Sequence, residues 1–318
     1  TYSERTKYGM IGVIIHEVGH NFFPMIINSD ERQWTWMDEG LNTFVQFLTE
    51  KEFDRDYPSR RGSARNIRDY MGGDKTRISP IMTNSESIYQ FGNNAYGKPA
   101  TALNILRETV MGRELFDHAF KEYSRRWAFK HPSPADFFRT MEDASGVDLD
   151  WFWRGWFYTL NDYYTTRDPY AVLELDRQEA EKAREGLSEA EKAMLESGKQ
   201  FYEITFRNVG GLVMPLILEF EYADGGREVR RIPAEIWKMS EPTVTKVFVT
   251  DRPASRITLD PYMETADVDM GNNHWPARPE PTRFEVFQGS PYSRYYSGGG
   301  ENPMQRARRN AELENTNE

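Results

Sequence analysis

The sequence predicts an α + β fold: a helical part over residues 1–168, a small β-sandwich over residues 169–273 and an irregular tail over residues 274–318. Three observations predict it. Apolar residues recur at helical spacing from Tyr8 to about Asp162, and they alternate at strand spacing after Asp168-Pro169. From His274 onward proline, glycine, arginine and asparagine dominate, with SPYSRYYSGGG in the middle.

Met10, Ile11, Ile14, Ile15 and Phe22 fall one, three and four apart in a first helix that Pro24 stops. A second helix is expected from Glu31 to about Glu50, capped by Asn28, Ser29 or Asp30. Its apolar side carries Trp34, Met37, Leu41, Phe44, Val45 and Leu48. Lys98-Pro99 opens another, because proline suits a first turn, and it continues through Leu103, Ile105 and Leu106 to Gly112. Ser133-Pro134 with Asp136 behind it announces a helix that Gly146 closes. The aromatic run from Asp150 to Tyr158 reads as the last buried helix of this part, core rather than a ligand box.

In the second part Tyr202, Ile204 and Phe206 alternate with Glu203, Thr205 and Arg207, the pattern of a half-buried strand. Leu216–Tyr222, Glu228–Ile232, Val244–Val249 and Arg256–Leu259 extend the series, with Asp224-Gly225-Gly226 as a hairpin turn. Short strands at this spacing predict a sandwich. The charged run near residues 176–198 interrupts it as an exposed helical hairpin, with Ser188 capping the second arm.

With 318 residues, 38% hydrophobic and 14% aromatic, the chain has enough apolar surface for two cores. The net charge of −10 is scattered along the sequence, which speaks against nucleic acid as a partner. Cysteine is absent, so disulfides, thiolate metal sites and cysteine nucleophiles are excluded together. No stretch has the roughly 18 apolar residues of a membrane span, and the first residues lack the layout of a signal peptide. The chain reads as the later part of a longer protein or as a processed fragment. Oligomeric state and compartment stay open, with a lean toward an exported or periplasmic bacterial protein.

His16-Glu17-Val18-Gly19-His20 is H-E-x-x-H inside an apolar helical pattern. Two histidines four apart on a helix can reach one metal ion at about 2.0–2.1 Å. Glu17 can face the same cleft, where the attacking water needs a base. So short a motif needs support, and Glu39 supplies it: it follows His20 by nineteen positions on a second expected helix. Alone it would more often be a solvated helix residue. A His/His/Glu set that leaves one position for water is a known catalytic zinc arrangement.

With these residues and the context Trp36-Met37-Asp38-Glu39-Gly40, the sequence resembles the gluzincin zinc metallopeptidases of the aminopeptidase N family. Their signature is H-E-x-x-H, eighteen residues, then glutamate, commonly in W-L-N-E-G. The resemblance implies His16, His20 and Glu39 as ligands of one zinc ion and Glu17 as the catalytic base. It also implies a thermolysin-like helical catalytic subdomain followed by the sandwich. Asp38 replaces the usual asparagine, and it is read either as a partner to a zinc histidine or as a helix-surface charge. Pro24 and Met25 stand where a Gly-Asn pair is common.

Tyr96-Gly97-Lys98-Pro99, fifty-seven residues after Glu39, resembles the family's Y-x-K-G context. It implies that Tyr96 donates to the oxyanion, against the alternative of a packing tyrosine with a wet hydroxyl. The family's G-x-M-E-N segment, which grips a substrate amino group, lies upstream of the zinc motif, and the chain starts too late to contain it. The implied function is zinc-dependent hydrolysis of peptide bonds, with peptides cut at the amino end. The alternatives are an endopeptidase or other zinc hydrolase on the same scaffold, or an inactive zinc-bearing binding protein. His118, His131 and His274 read as structural or exposed. Arg55, Arg60, Arg61, Arg65 and Arg68, among acidic neighbours, read as a solvated face. Gly298–Gly300 match no phosphate-binding pattern.

Overall fold

The first helix starts earlier than its apolar pattern suggests, because Ser3 accepts from the Thr6 amide at 3.2 Å while the Thr6 hydroxyl accepts from the Ser3 amide at 2.9 Å. This reciprocal cap sets helix α1 at Glu4–Gly19. The computed structural model describes residues 2–161, 165–167 and 197–276, excepting the side chains of 165–167. Most of the helical hairpin near 176–198 with Ser188 and the tail beyond Pro276 lie outside those residues; the expected boundary at 168/169 comes too late, because Thr165–Arg167 already pair with Phe206–Asn208 in a sheet.

After α1 the chain makes a π-helical turn at Asn21–Ile26. Asp30 caps only a tight turn, accepting from the Arg32 and Gln33 amides at 3.2 and 3.1 Å. The second helix therefore begins near Trp36, several residues later than expected, with a π-helical stretch at Trp36–Gly40 that runs into α2, Leu41–Phe53. Helix α3 is Ala64–Met71. A π-helical stretch, Gly92–Gly97, leads into α4, Lys98–Ile105. Helix α5 is Arg113–Trp127, and α6 is Pro134–Ser145, boxed by Ser133 and Asp136 and closed by Gly146 at φ +68°. The short α7, Asp150–Trp153, continues as a π-helical turn through Arg154–Tyr158.

These elements close on an aromatic core. Trp36 packs edge-on against Phe157 at 4.8 Å and Phe137 at 5.7 Å, and parallel to Phe138 at 5.8 Å. Such pairs each add about 0.5–1.5 kcal/mol beyond burial. Phe152, Trp153, Trp156 and Phe157 are buried there too, so the aromatic run is core. One expectation reverses: of the apolar pattern, Met10, Ile14 and Phe22 are 52–61% exposed. Helix α1 lies against α2 through small and polar residues instead. A Cβ on Gly12 would sit 3.2 Å from Glu50 Oε1, and one on Gly19 would sit 2.0 Å from Asn42 Oδ1. That close approach spends the inner face on Gly12, His16 and Gly19 and turns the apolar stripe outward.

The strands are β1 Thr165–Arg167, β2 Gln200–Asn208, β3 Leu216–Tyr222, β4 Arg227–Ile232, β5 Thr243–Thr250, β6 Ala254–Leu259 and β7 His274–Trp275. They form two antiparallel sheets, ordered β1-β2-β5 and β4-β3-β6-β7. Tyr202, Ile204, Phe206 and Phe248 from the first sheet share a core with Leu218, Phe220 and Ile257 from the second, which makes a sandwich. His274 belongs to it, pairing with Thr258, so the irregular tail cannot begin at 274 as expected: ladder bonds to β6 hold that residue. Among the described residues no helix is long and apolar enough to cross a membrane.

Candidate metal centre and active site

The site forms where α1 meets the start of α2. His16 and His20, one helical turn apart, present their rings to a common point, with centroids 4.7 Å apart and planes at 87°. Glu39 reaches that point from the π-helical stretch before α2. His16 Nε2, His20 Nε2 and Glu39 Oε2 form a triangle with edges of 3.0, 3.1 and 3.4 Å. Ligands at about 2.0–2.1 Å around a tetrahedral ion stand roughly 3.3 Å apart. The triangle has the size of one face of such a shell.

The outer ring nitrogens decide the protonation. His16 Nδ1 lies 2.9 Å from Gln46 Oε1, and His20 Nδ1 lies 2.7 Å from the Phe23 carbonyl. The Gln46 amide is fixed in orientation, because its Nε2 donates to the Gly12 carbonyl at 3.2 Å and to Glu50 Oε1 at 2.8 Å. Both Nδ1 atoms therefore donate, and the neutral rings keep their lone pairs on Nε2. Two lone pairs and a carboxylate oxygen converge with no proton of their own between them. A cation relieves the repulsion, and the donor set is one that suits zinc. Without one, a proton on His16 would have to serve; burial lowers its pKa, but hydrogen bonds with Glu39 and Gln46 raise it above its ordinary value.

Burial pushes the Glu39 carboxyl up, but where protons on the rings serve in place of a cation, the hydrogen bond from His16, that from Tyr96 and the charge of both histidines bring it below its ordinary value. Asp38, buried, has Oδ1 3.1 Å from His20 Nδ1, so it stands beside that histidine and not on the helix surface. Burial first, and then the neighbouring Glu39, raise the Asp38 pKa.

Tyr96 lies in the π-helical stretch before α4. Its ring runs nearly parallel to that of His16, with centroids 5.8 Å apart, and its hydroxyl donates to Glu39 Oε1 at 2.6 Å. The hydroxyl is thus at the centre but engaged with the carboxylate, where the resemblance implied a donor to an oxyanion. Burial, then the Glu39 hydrogen bond and charge, raise its pKa and keep it protonated. Glu17, exposed, lines the same cleft of ≈ 760 Å³ as His16, His20, Glu39 and Tyr96. No side chain among the described residues takes its carboxylate.

Sequence reasoning missed Gln46 and Glu50, although they follow Glu39 by seven and eleven positions and so lie along the same helix stripe. Asn42 was missed too; its Nδ2 donates to the His16 carbonyl at 2.8 Å and ties α2 to the zinc-motif helix. The arginine cluster is only partly a solvated face. Arg60 and Arg61 line the cleft, and Arg68 donates to the Asp267 carbonyl and, at 3.4 Å, to that of Val268. His131 Nδ1 meets the Asn28 carbonyl at 3.0 Å, away from the centre, and His274 is buried in the sandwich.

Comparison with known proteins places the first half of the chain. The Peptidase family M1 domain matches residues 1–156. Probable aminopeptidase 1 of Sulfurisphaera tokodaii is 25% identical over 159 residues, which are 47% of this chain and 20% of that protein. Glutamyl aminopeptidase of Sus scrofa is 25% identical over 170 residues, 52% of this chain and 17% of that protein. The chain thus matches about a fifth of the length of these curated relatives. The crystal structure of Legionella pneumophila aminopeptidase A in complex with aspartic acid superposes on 80% of this chain and 26% of that one, with a TM-score of 0.50 and 14% identity, a likeness of fold.

Proposed function

We propose that this chain, whose residues 1–156 belong to peptidase family M1, is the metal-binding and catalytic part of a zinc peptidase that removes residues from the amino end of peptides. The observation that carries the reading is the triangle of His16 Nε2, His20 Nε2 and Glu39 Oε2, with both Nδ1 protons turned outward. Its relatives' aminopeptidase names support the amino-end preference.

His16, His20 and Glu39 would hold the ion, oriented by Gln46 on one ring and by the Phe23 carbonyl on the other, with the Asp38 carboxylate beside that second ring. A zinc ion held there supplies Lewis acidity toward water and the scissile carbonyl. Glu17, without a side-chain partner among the described residues and open to the cleft, takes the proton of the attacking water and delivers it to the departing amine. Tyr96 swings its hydroxyl bond from Glu39 Oε1 to the oxygen of the substrate carbonyl as negative charge develops there.

The test separates holding the ion from chemistry in the full-length protein. Elemental analysis should find about one zinc per chain, and much less in Glu39→Ala, which removes one of three ligands. Glu17→Gln should keep its zinc while peptide turnover falls by about 10² to 10⁴. Full zinc in Glu39→Ala, or near-normal hydrolysis by homogeneous Glu17→Gln, would sink the proposal.

A further inference from the structure

The arginine next to the centre has a fork that no described residue takes. Arg61 lies in the loop between α2 and α3, with its guanidinium carbon 4.3 Å from the centroid of the Tyr96 ring. It therefore stands by the same tyrosine that is hydrogen-bonded to Glu39. The loop is held in place from behind: Gly62 takes φ +88°, and a Cβ there would lie 2.4 Å from the Phe47 ring of α2, so only glycine fits. On the other side lies Gly92, where a Cβ would stand at 3.5 Å from Arg61 Nη2, an ordinary van der Waals contact.

Arg61 forms no hydrogen bond or ion pair among the described residues, and it faces the cleft while remaining open to solvent. The carboxylate that acts on it, Glu39, is already used, because it accepts from Tyr96 and faces the two histidines. Packing against the ring desolvates the guanidinium and lowers its pKa, against the raising influence of Tyr96 and Glu39. A planar fork of donors, placed and unused at the wall of a reaction cleft, matches a carboxylate in two-point geometry.

We propose that Arg61 is a specificity-determining residue that binds a carboxylate of the peptide substrate within one residue of the bond being cut. The reach follows from position. Tyr96 marks the reacting carbonyl, consecutive Cα atoms are about 3.8 Å apart, and Arg61 lies over the same ring. Two carboxylates meet this description: the side chain of an acidic residue beside the scissile bond, and the free C-terminus of a dipeptide. The inference rests on the peptidase reading of the site.

The experiment uses the full-length, zinc-loaded protein and two matched substrate pairs: a dipeptide against its C-terminal amide, and a glutamate-first peptide amide against its glutamine-first counterpart. Arg61→Gln should lower kcat/KM for the carboxylate-bearing member at least about tenfold more than for its neutral partner in one pair. That pair identifies the source of the carboxylate. Arg61→Lys should restore part of the difference, as a charge without the fork. Equal losses for both members of both pairs overturn the proposal and leave Arg61 as packing for the Tyr96 ring. The same peptides, titrated calorimetrically into Glu17→Gln with and without Arg61→Gln, give a readout that needs no turnover. If the parent cleaves none of them yet the carboxylate preference in binding disappears with Arg61, the peptidase reading has failed and the subsite stands. If the preference is absent from binding and from turnover alike, the subsite has failed.

Discussion

At the scale of single residues, the site turns on where protons are absent. Gln46 and the Phe23 carbonyl draw the Nδ1 protons of His16 and His20 outward, and the inner lone pairs follow. Tyr96 is the residue with two possible duties, because the hydroxyl that would serve an oxyanion is bonded to the second oxygen of Glu39. Tyr96→Phe tells them apart. If the hydroxyl serves the transition state, kcat and kcat/KM fall together by about 10² to 10³ with KM nearly unchanged, and zinc competition gives the parent affinity. If its duty is to orient Glu39, the variant instead loses affinity for zinc and kinetics recover when zinc is added in excess. A fully loaded variant with kcat within about twofold of the parent, well under 1 kcal/mol, would leave the ring as packing only.

At the scale of elements, two glycines set the distances on which those residues depend. Gly19 lets α1 approach Asn42, and Gly40 lets the start of α2 approach the Tyr96 segment: a Cβ on Gly40 would lie 2.6 and 2.8 Å from Pro99 side-chain atoms and 3.0 Å from the Ala95 carbonyl. Gly40→Ala can be accommodated only by moving the Gly92–Ile105 run off α2, which carries Tyr96 away from Glu39. The expected result is a loss of about 1–3 kcal/mol in stability and a fall in turnover with zinc retained, read by thermal melting and steady-state kinetics. Unchanged melting and turnover would show that the contact yields freely. The legibility of the sequence divides along the same line. His16, His20, Glu39 and Tyr96 could be brought together on paper because helical spacing and a signature name them, and capped elements such as α6 announce both ends through Ser133, Asp136 and Gly146. What could not be read depends on which faces meet. The outward turn of Met10 and Ile14 follows from Gly12 and Gly19 facing α2. Arg61 is lifted out of a charged run only by the fold of a loop pinned at Gly62. The limits of the longer strands were legible because alternation reports burial directly, yet β1 and β7 were not: three and two residues are too few to show a period.

At the scale of the whole molecule, the described chain to Pro276 is one compact unit with two hydrophobic cores, and the segment Leu212–Met214 stitches them. Leu212 and Met214 are buried in the helical core while Val213, between them, is buried in the sandwich, the alternation of extended backbone used across a seam. Trp156 of the helical part donates to the Met214 sulfur at 3.5 Å, and Trp237 of the sandwich part donates to the Met214 carbonyl at 2.9 Å. Trp151 packs on both cores. The sandwich thus braces the aromatic core whose Trp36 begins the stretch that carries Glu39. Met214→Ala keeps the carbonyl bond to Trp237 and deletes only the buried side chain that Trp156 meets, which should cost about 2–5 kcal/mol. Because the residue is shared, the cost should fall on both halves at once. Tryptophan fluorescence and far-ultraviolet circular dichroism of the 318-residue chain should report one coincident transition, shifted to lower temperature in the variant. Two separate transitions, with only one of them moved by the substitution, would mean that the cores unfold independently and that the seam transmits nothing to the stretch that carries Glu39.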